Sequence, residues 1–191
     1  MLYSNLLTAL GRFDEALAEV ARARERDPVS ILANLSVGWT LMMARRYDAA
    51  LVEHRRTLEL DPQYPLTHAE IAWCYAHQGR FAESFAELDR TGRDPQDPFL
   101  GFLYGVSGQR DKALDVARAL VRQSRKGYVS PYEIASPCAG AGEREEALRW
   151  LGLALEERSS ALFLLKVDQG WDNLRGDPRF QAYLRRMGLE P

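Results

Sequence analysis

The chain has 191 residues, 46% of them hydrophobic and 27% charged, a balance that excludes disorder and allows either one ordinary core or a repeat array with no single core. A formal charge of −2 provides no global field to gather nucleic acid or an anionic membrane surface. No run approaches the ~18 uninterrupted apolar residues of a membrane span, no basic leader precedes a long apolar run, and two cysteines, Cys74 and Cys138, cannot build a disulfide framework.

A cytoplasmic, reducing location is therefore expected. Taken in chain order, Gly11, Phe13 and Ala16 open a pattern that returns 34 residues later as Arg45, Tyr47 and Ala50, and again as Gly79, Phe81 and Ser84. Asp27-Pro28 recurs as Asp61-Pro62 and, one residue early, as Asp94-Pro95. Between these marks, FDEALAEVARARERD (13–27) and YDAALVEHRRTLELD (47–61) place apolar residues at three- and four-residue spacing, which predicts helices. Each mark has a physical role. Glycine ends the first helix of a pair, a small residue lets two helices approach at their crossing, and Asp-Pro stops the second helix. Projected back from Ile31, the first helix of the first pair begins just before Met1. The first repeat is thus expected to be cut, and the chain to be the C-terminal part of a longer protein.

After a junction shortened by five residues the frame resumes with Gly108 and Ala113, then Gly142 and Ala147. Here Arg110 and Arg144 replace the aromatic that follows the turn, and the closing Asp-Pro is missing. Beyond the fifth pair, SSALFLLKV (159–167) reads as an apolar helix and DQGWDNLRG as a polar loop. DPRFQAYLRRMG then supplies Asp177 as N-cap, Pro178 at the first helical position, Arg185 and Arg186 in the last turn, and Gly188 beyond it. The expected organisation is an array of about five helix pairs over 1–158 and capping helices over 159–191, since a solenoid needs its last exposed face covered.

The pattern resembles the tetratricopeptide repeat family, a 34-residue helix-turn-helix unit. The resemblance is clearest in ILANLSVGWTLMMARRYDAALVEHRRTLELDP (31–62) and PLTHAEIAWCYAHQGRFAESFAELDRTGRDP (65–95), with weaker copies across 1–158. It implies an all-α fold, a right-handed α-α superhelix with a C-terminal capping helix, and a protein-binding scaffold rather than an enzyme. GYVSPYEIA (127–135), AGEREEALRWLGLALEERS (141–159) and LLKVDQGWDNLRGDPRFQAYLRRMGL (164–189) are similar to the C-terminal ends of certain bacterial signalling proteins. There the repeats follow a winged-helix, Ser/Thr kinase or class III adenylate cyclase domain.

Chemistry-bearing motifs are scarce. No phosphate loop is present, and Gly105-Val106-Ser107-Gly108 falls at a repeat turn. His54, His68 and His77 lack the i, i+4 spacing of paired metal ligands, so packing roles are expected. Glu143, Glu145, Glu146, Glu156 and Glu157 read as solvated helix faces, and Cys74 and Cys138 as small buried apolar residues. No catalytic, cofactor-binding or metal-binding residue is assigned. The resemblance places the first helices on the inner face, where residues 34 apart stack. Leu32, Leu35, Trp39, Met42 and Met43, then Leu66, Trp73 and His77, then Phe102, Val106 and Tyr132 are expected to line an apolar groove for a peptide or protein segment. Val37, Leu41, Ile71 and Tyr75 occupy the core side of the same helices. These inner positions offer no Lys, Arg or Asn clamp for an acidic chaperone tail. Self-association as a homodimer is the alternative reading, and helical-repeat RNA binding a remote one that the near-neutral charge disfavours.

Overall fold

The structure is a computed structural model that describes residues 2–92 and 94–189. All regular structure among them is helical. It falls into two compact units, Met1–Arg93 and Asp94–Pro191. The first holds α1 (Leu2–Ala9), α2 (Phe13–Arg26), α3 (Ile31–Met43), α4 (Tyr47–Leu60), α5 (Pro65–His77) and α6 (Phe81–Asp89). The second holds α7 (Pro98–Val106), α8 (Arg110–Ser124), α9 (Pro131–Gly140), α10 (Arg144–Glu156), two 3₁₀ helices (Ser160–Leu164 and Gln169–Leu174) and α11 (Pro178–Arg186). In each unit, helix pairs stack on the next pair as in an α-α solenoid: α1 on α2, α2 on α3, α3 on α4 and so on.

The turn between the two helices of a pair has one design. Gly11, Arg45 and Gly79 in the first unit, and Gly108 and Gly142 in the second, all adopt positive φ, from 62° at Arg45 to 86° at Gly108. The next amide closes back on the helix, Arg12 N–H to Leu7 O at 2.8 Å, Arg46 N–H to Leu41 O at 2.9 Å and Arg80 N–H to Tyr75 O at 2.9 Å. These bonds satisfy carbonyls that the helix end would otherwise leave open. Past the turn, Ala16, Ala50, Ser84, Ala113 and Ala147 are all fully buried at 0% exposure, as the crossing requires. Ser84 keeps its hydroxyl satisfied by donating to Ala72 O at 2.7 Å.

The closing Asp-Pro turns tie each pair to the next. Asn34 donates from Nδ2 to Pro28 O at 2.9 Å, and His68, 34 residues on, places Nε2 3.1 Å from Pro62 O. Two different side chains thus fasten a first helix to the preceding Pro carbonyl. The third Asp-Pro departs from expectation. α6 already ends at Asp89, where Thr91 N–H returns to Leu88 O at 2.9 Å and Gly92 turns at φ 61°. Asp94 instead heads a turn, accepting from Gln96 N–H at 2.7 Å, and Asp97 caps α7 by accepting from Phe99 N–H at 2.9 Å. The short α6 is where the first unit stops.

In the second unit α7 lies so close to α9 that a Cβ at Gly105 would collide with the backbone of Gly140, and one at Gly140 with Phe102. The tail corrects a second expectation. Residues 160–164 form a 3₁₀ helix rather than an α-helix over 159–167, and the segment expected as a polar loop contains another. Leu162 and Leu165, and then Trp171 and Leu174, are three apart and 0–4% exposed, and Phe180 of α11, at 0%, joins them. A three-residue period aligns side chains in a 3₁₀ helix, not in an α-helix. This ridge packs on Ala147, Leu148, Leu151 and Ala154 of α10, each fully buried large apolar side chain contributing roughly 1.5–3 kcal/mol. The terminal helix follows expectation: Asp177 accepts from Arg179 N–H at 2.8 Å, Pro178 stands at its first turn, and Gly188 ends it at φ 70°.

Candidate functional site

In the first unit α3 and α5, the first helices of successive pairs, lie side by side. Leu32 and Leu66, equivalent in the 34-residue frame, are 50% and 43% exposed at their N-terminal ends. Seven residues on, which returns to the same helix face, stand Trp39 and Trp73, both half-buried. Trp73 contacts His77 with ring centroids 4.9 Å apart and planes tilted by 60°. His77 in turn stacks on Tyr47, at 5.8 Å and 7°. Tyr47 belongs to the recurring aromatic that follows the turn. The frame identifies that position but not that it closes over the end of the next first helix.

Three residues expected in the groove are core instead. Leu35, Met42 and Met43 are 5%, 3% and 5% exposed. The reason is that α3, ILANLSVGWTLMM, is apolar on nearly every side and packs against α1, α2, α4 and α5. A helix contacted by four others hides most of its circumference. Val37, Ile71 and Tyr75 are buried as expected, while Leu41 is only half so.

Beneath this face lies a buried ionisable pair. His54 of α4 is 0% exposed, and its ring occupies the space that a side chain at Gly38 would fill. Its Nδ1 lies 3.5 Å from Oε2 of Glu70 on α5. A pair drawn as an ion bridge is not one here, because burial disfavours both charges: it lowers His54 to about 4 and raises Glu70 well above the carboxylate range. Burial thus favours the neutral form of each side chain. His68 has a separate contact, Nδ1 to Glu87 Oε2 at 2.6 Å. Among the described residues no cluster of three or more His, Cys, Asp or Glu side chains is arranged to hold a metal ion, and no helix is long and apolar enough to cross a membrane.

The expected site residues of the second unit divide three ways. Phe102 is buried at 5% exposure, against expectation, because α9 crosses directly over it at Gly140. Val106 is 37% exposed. Tyr132 is committed to the tail rather than to a groove. Its hydroxyl donates to Asp168 Oδ2 at 2.6 Å and accepts from Trp171 Nε1 at 2.8 Å, with the two rings edge to face at 4.9 Å. Burial, then the adjacent Asp168 charge, push the Tyr132 phenol well above its ordinary range.

Two tetratricopeptide repeat models match the sequence, over residues 4–65 and 41–98. Residues 4–98 carry tetratricopeptide repeats. Such repeats are in general non-enzymatic modules that bind proteins or peptides, and no catalytic family is indicated. No curated protein matches the chain. Among solved structures, a tetratricopeptide repeat protein from Parabacteroides merdae ATCC 43184 is 12% identical with a TM-score of 0.50, covering 99% of this chain and 78% of that one. At that identity the likeness is one of fold. The chain is also similar to YrrB, described as a tetratricopeptide repeat protein with an unusual peptide-binding site, at 20% identity and a TM-score of 0.49, covering 87% of this chain and 88% of that one. MamA is 19% identical with a TM-score of 0.47, covering 84% and 96% respectively.

Proposed function

We propose that this chain is a protein-interaction module whose first unit captures an apolar peptide segment along the face of α3 and α5. The observation that carries the reading is the repeated pair, Leu32 with Trp39 and Leu66 with Trp73, which leaves two leucines open to solvent and two tryptophans partly so at equivalent positions of adjacent helices. The buried methionines remove the adaptable part of the groove, so the surface is more rigid than the sequence implied. Trp supplies most of the contact area at such sites. The module serves a longer cytoplasmic bacterial signalling or regulatory protein, in keeping with the resemblance of its tail. Peptides selected on the full chain from a random display library test the assignment. Replacing Trp39 and Trp73 together by Ala is expected to weaken them by on the order of 2 kcal/mol, about thirtyfold, with helical circular dichroism retained. Undiminished binding by a folded double variant would overturn the assignment.

Self-association is a second reading, favoured by one observation. Leu2 and Leu6 of α1 and Leu10 just past its end form a row at four-residue spacing and are 89%, 54% and 38% exposed, with Tyr3 beside them at 56%. A second copy packing on this row would give a dimer that dissociates on dilution and is broken by Leu6→Lys. Light scattering across a dilution series reads both outcomes.

A further inference from the structure

Away from the α3–α5 face, the second unit has an open cavity of about 400 Å³ between α8 and α10, floored by α9. Its walls are apolar: Ala117 and Val121 from α8, Ile134 and Cys138 from α9, and Trp150 from α10. Such a volume lies within the range of pockets that take one or a few ligand groups. The rim has a different character. Arg118, Arg122 and Arg125 border it, and a second depression of about 540 Å³ shares Arg122 and Arg125 and adds Gln96, Gln123 and Lys126. From Val116 to Gly127 the chain carries four cations and no acid, on a protein whose formal charge is −2.

The charges facing the cavity are unevenly paired. Arg118 is held by Asp115 at 3.1 Å. Arg149 is held by Glu146 at 2.7 Å and lies over the Trp150 ring, 4.3 Å from its centroid. No ion pair or hydrogen bond from the side chains of Arg122, Arg125 or Lys126 occurs among the described residues, and all three side chains are exposed. Glu146 also lines the cavity but is taken up by Arg149, so the three cations left over destabilise the free protein slightly and attract an anionic partner. The cavity beside it offers burial for one large apolar side chain.

We infer that the α8–α10 seam is a second binding site, which takes a peptide segment with an aromatic or aliphatic anchor flanked by acidic residues. The anchor enters the cavity and the carboxylates lie over Arg122, Arg125 and Lys126. Arg geometry suits carboxylates, which it engages through paired N–H donors. A nucleic acid fits less well: single strands need open aromatic faces for stacking, and the one aromatic ring lining this cavity, Trp150, is already covered by Arg149.

The test uses the full chain and a fluorescein-labelled synthetic peptide with one Phe next to a run of glutamates. Saturable binding is expected, weakening as salt is raised. It should weaken by about tenfold or more in Arg122→Glu/Arg125→Glu, and again when the glutamates become glutamines or the Phe becomes Ser. Circular dichroism and melting should stay unchanged, because both arginines are exposed and unpaired. Trp39→Ala/Trp73→Ala should leave this binding intact, which separates the site from the α3–α5 face. Absence of saturable binding, equal affinity for the glutamine or Ser peptide, or loss on the tryptophan variant instead would each overturn the inference. So would tighter binding of a single-stranded oligonucleotide. If the charge-reversed variant misfolds, Arg122→Gln/Arg125→Gln carries the same comparison.

Discussion

Arg45 occupies a position that glycine holds in four of the five intra-pair turns, and its φ of 62° is one that an L side chain adopts only against steric resistance. Arg45→Gly relieves that resistance, roughly 1–2 kcal/mol, while adding about 0.4–1 kcal/mol of freedom to the unfolded chain, so a net gain of about 0.5–1 kcal/mol is expected, read as a rise of a few degrees in melting temperature. Gly79→Ala, which imposes the same strain anew, should lower it by a similar amount. The buried pair makes a different residue-scale prediction. His54 titrates at about 4 in the fold against an ordinary 6.5, so the unfolded chain takes up the proton first as pH falls. Stability from this residue is present above pH 6.5 and is lost between 6.5 and 4, on the order of 3 kcal/mol in all. Glu70 has the opposite sign: its raised pKa means stability is lost as pH climbs above the ordinary carboxylate value. Denaturant midpoints across this window should fall more steeply for the wild type than for His54→Leu. Parallel curves would mean His54 is not buried as a neutral ring.

At the scale of elements, the sequence made some features plain and others not. Helix ends were legible because positive-φ turns and Asp-Pro punctuate them with residues that few other local structures need. The early end of α6 was not, since Asp94-Pro95 looks like the other closures and its Asx turn has the same residues. The tail differs from expectation for a physical reason. An apolar run such as SSALFLLKV suits an α-helix, whereas Leu162 and Leu165, and then Trp171 and Leu174, are three apart, the spacing that 3₁₀ turns align. Such 3₁₀ segments rarely hold on their own, and here the Tyr132 hydroxyl and Asn173, which donates to Ala139 O at 2.8 Å, tie them to α9. Tyr132→Phe keeps the ring but leaves Asp168 and the Trp171 N–H without their shared partner, both in buried surroundings. A loss of about 1–3 kcal/mol is expected, with hydrogen exchange accelerated first in 160–176. An unchanged exchange pattern there would show that the apolar ridge and the Asn173 bond hold the tail without the Tyr132 hydroxyl.

For the whole molecule, one repeat frame written along the chain does not produce one uniform body. The shortened junction marks where the first compact unit ends, and each unit has its own helices, turns and buried residues. The candidate faces follow the same division, with Leu32, Trp39, Leu66 and Trp73 in one unit and the arginine-rimmed cavity in the other. Of the positions that spacing marks as outward, Leu32, Leu66 and Val106 are exposed. How many neighbours cover each helix was not legible, and that is why Met42, Met43 and Phe102 turned out to be core. The two cysteines, both free, fall one to each unit. Burial raises Cys74 to about 12 and Cys138 to about 11, so the reactive thiolate is scarce in the folded state at neutral pH. Alkylation of Cys74 therefore waits on the opening of the first unit, and that of Cys138, a 5%-exposed wall of the α8–α10 cavity whose thiol is held protonated by burial, stays slow until the second unit opens. Followed by mass spectrometry in mild denaturant, the two labelling rates should diverge if the halves open separately and coincide if they open together. Rapid labelling of both in native buffer would contradict their burial. Without any added probe, the protein carries a clock in each half.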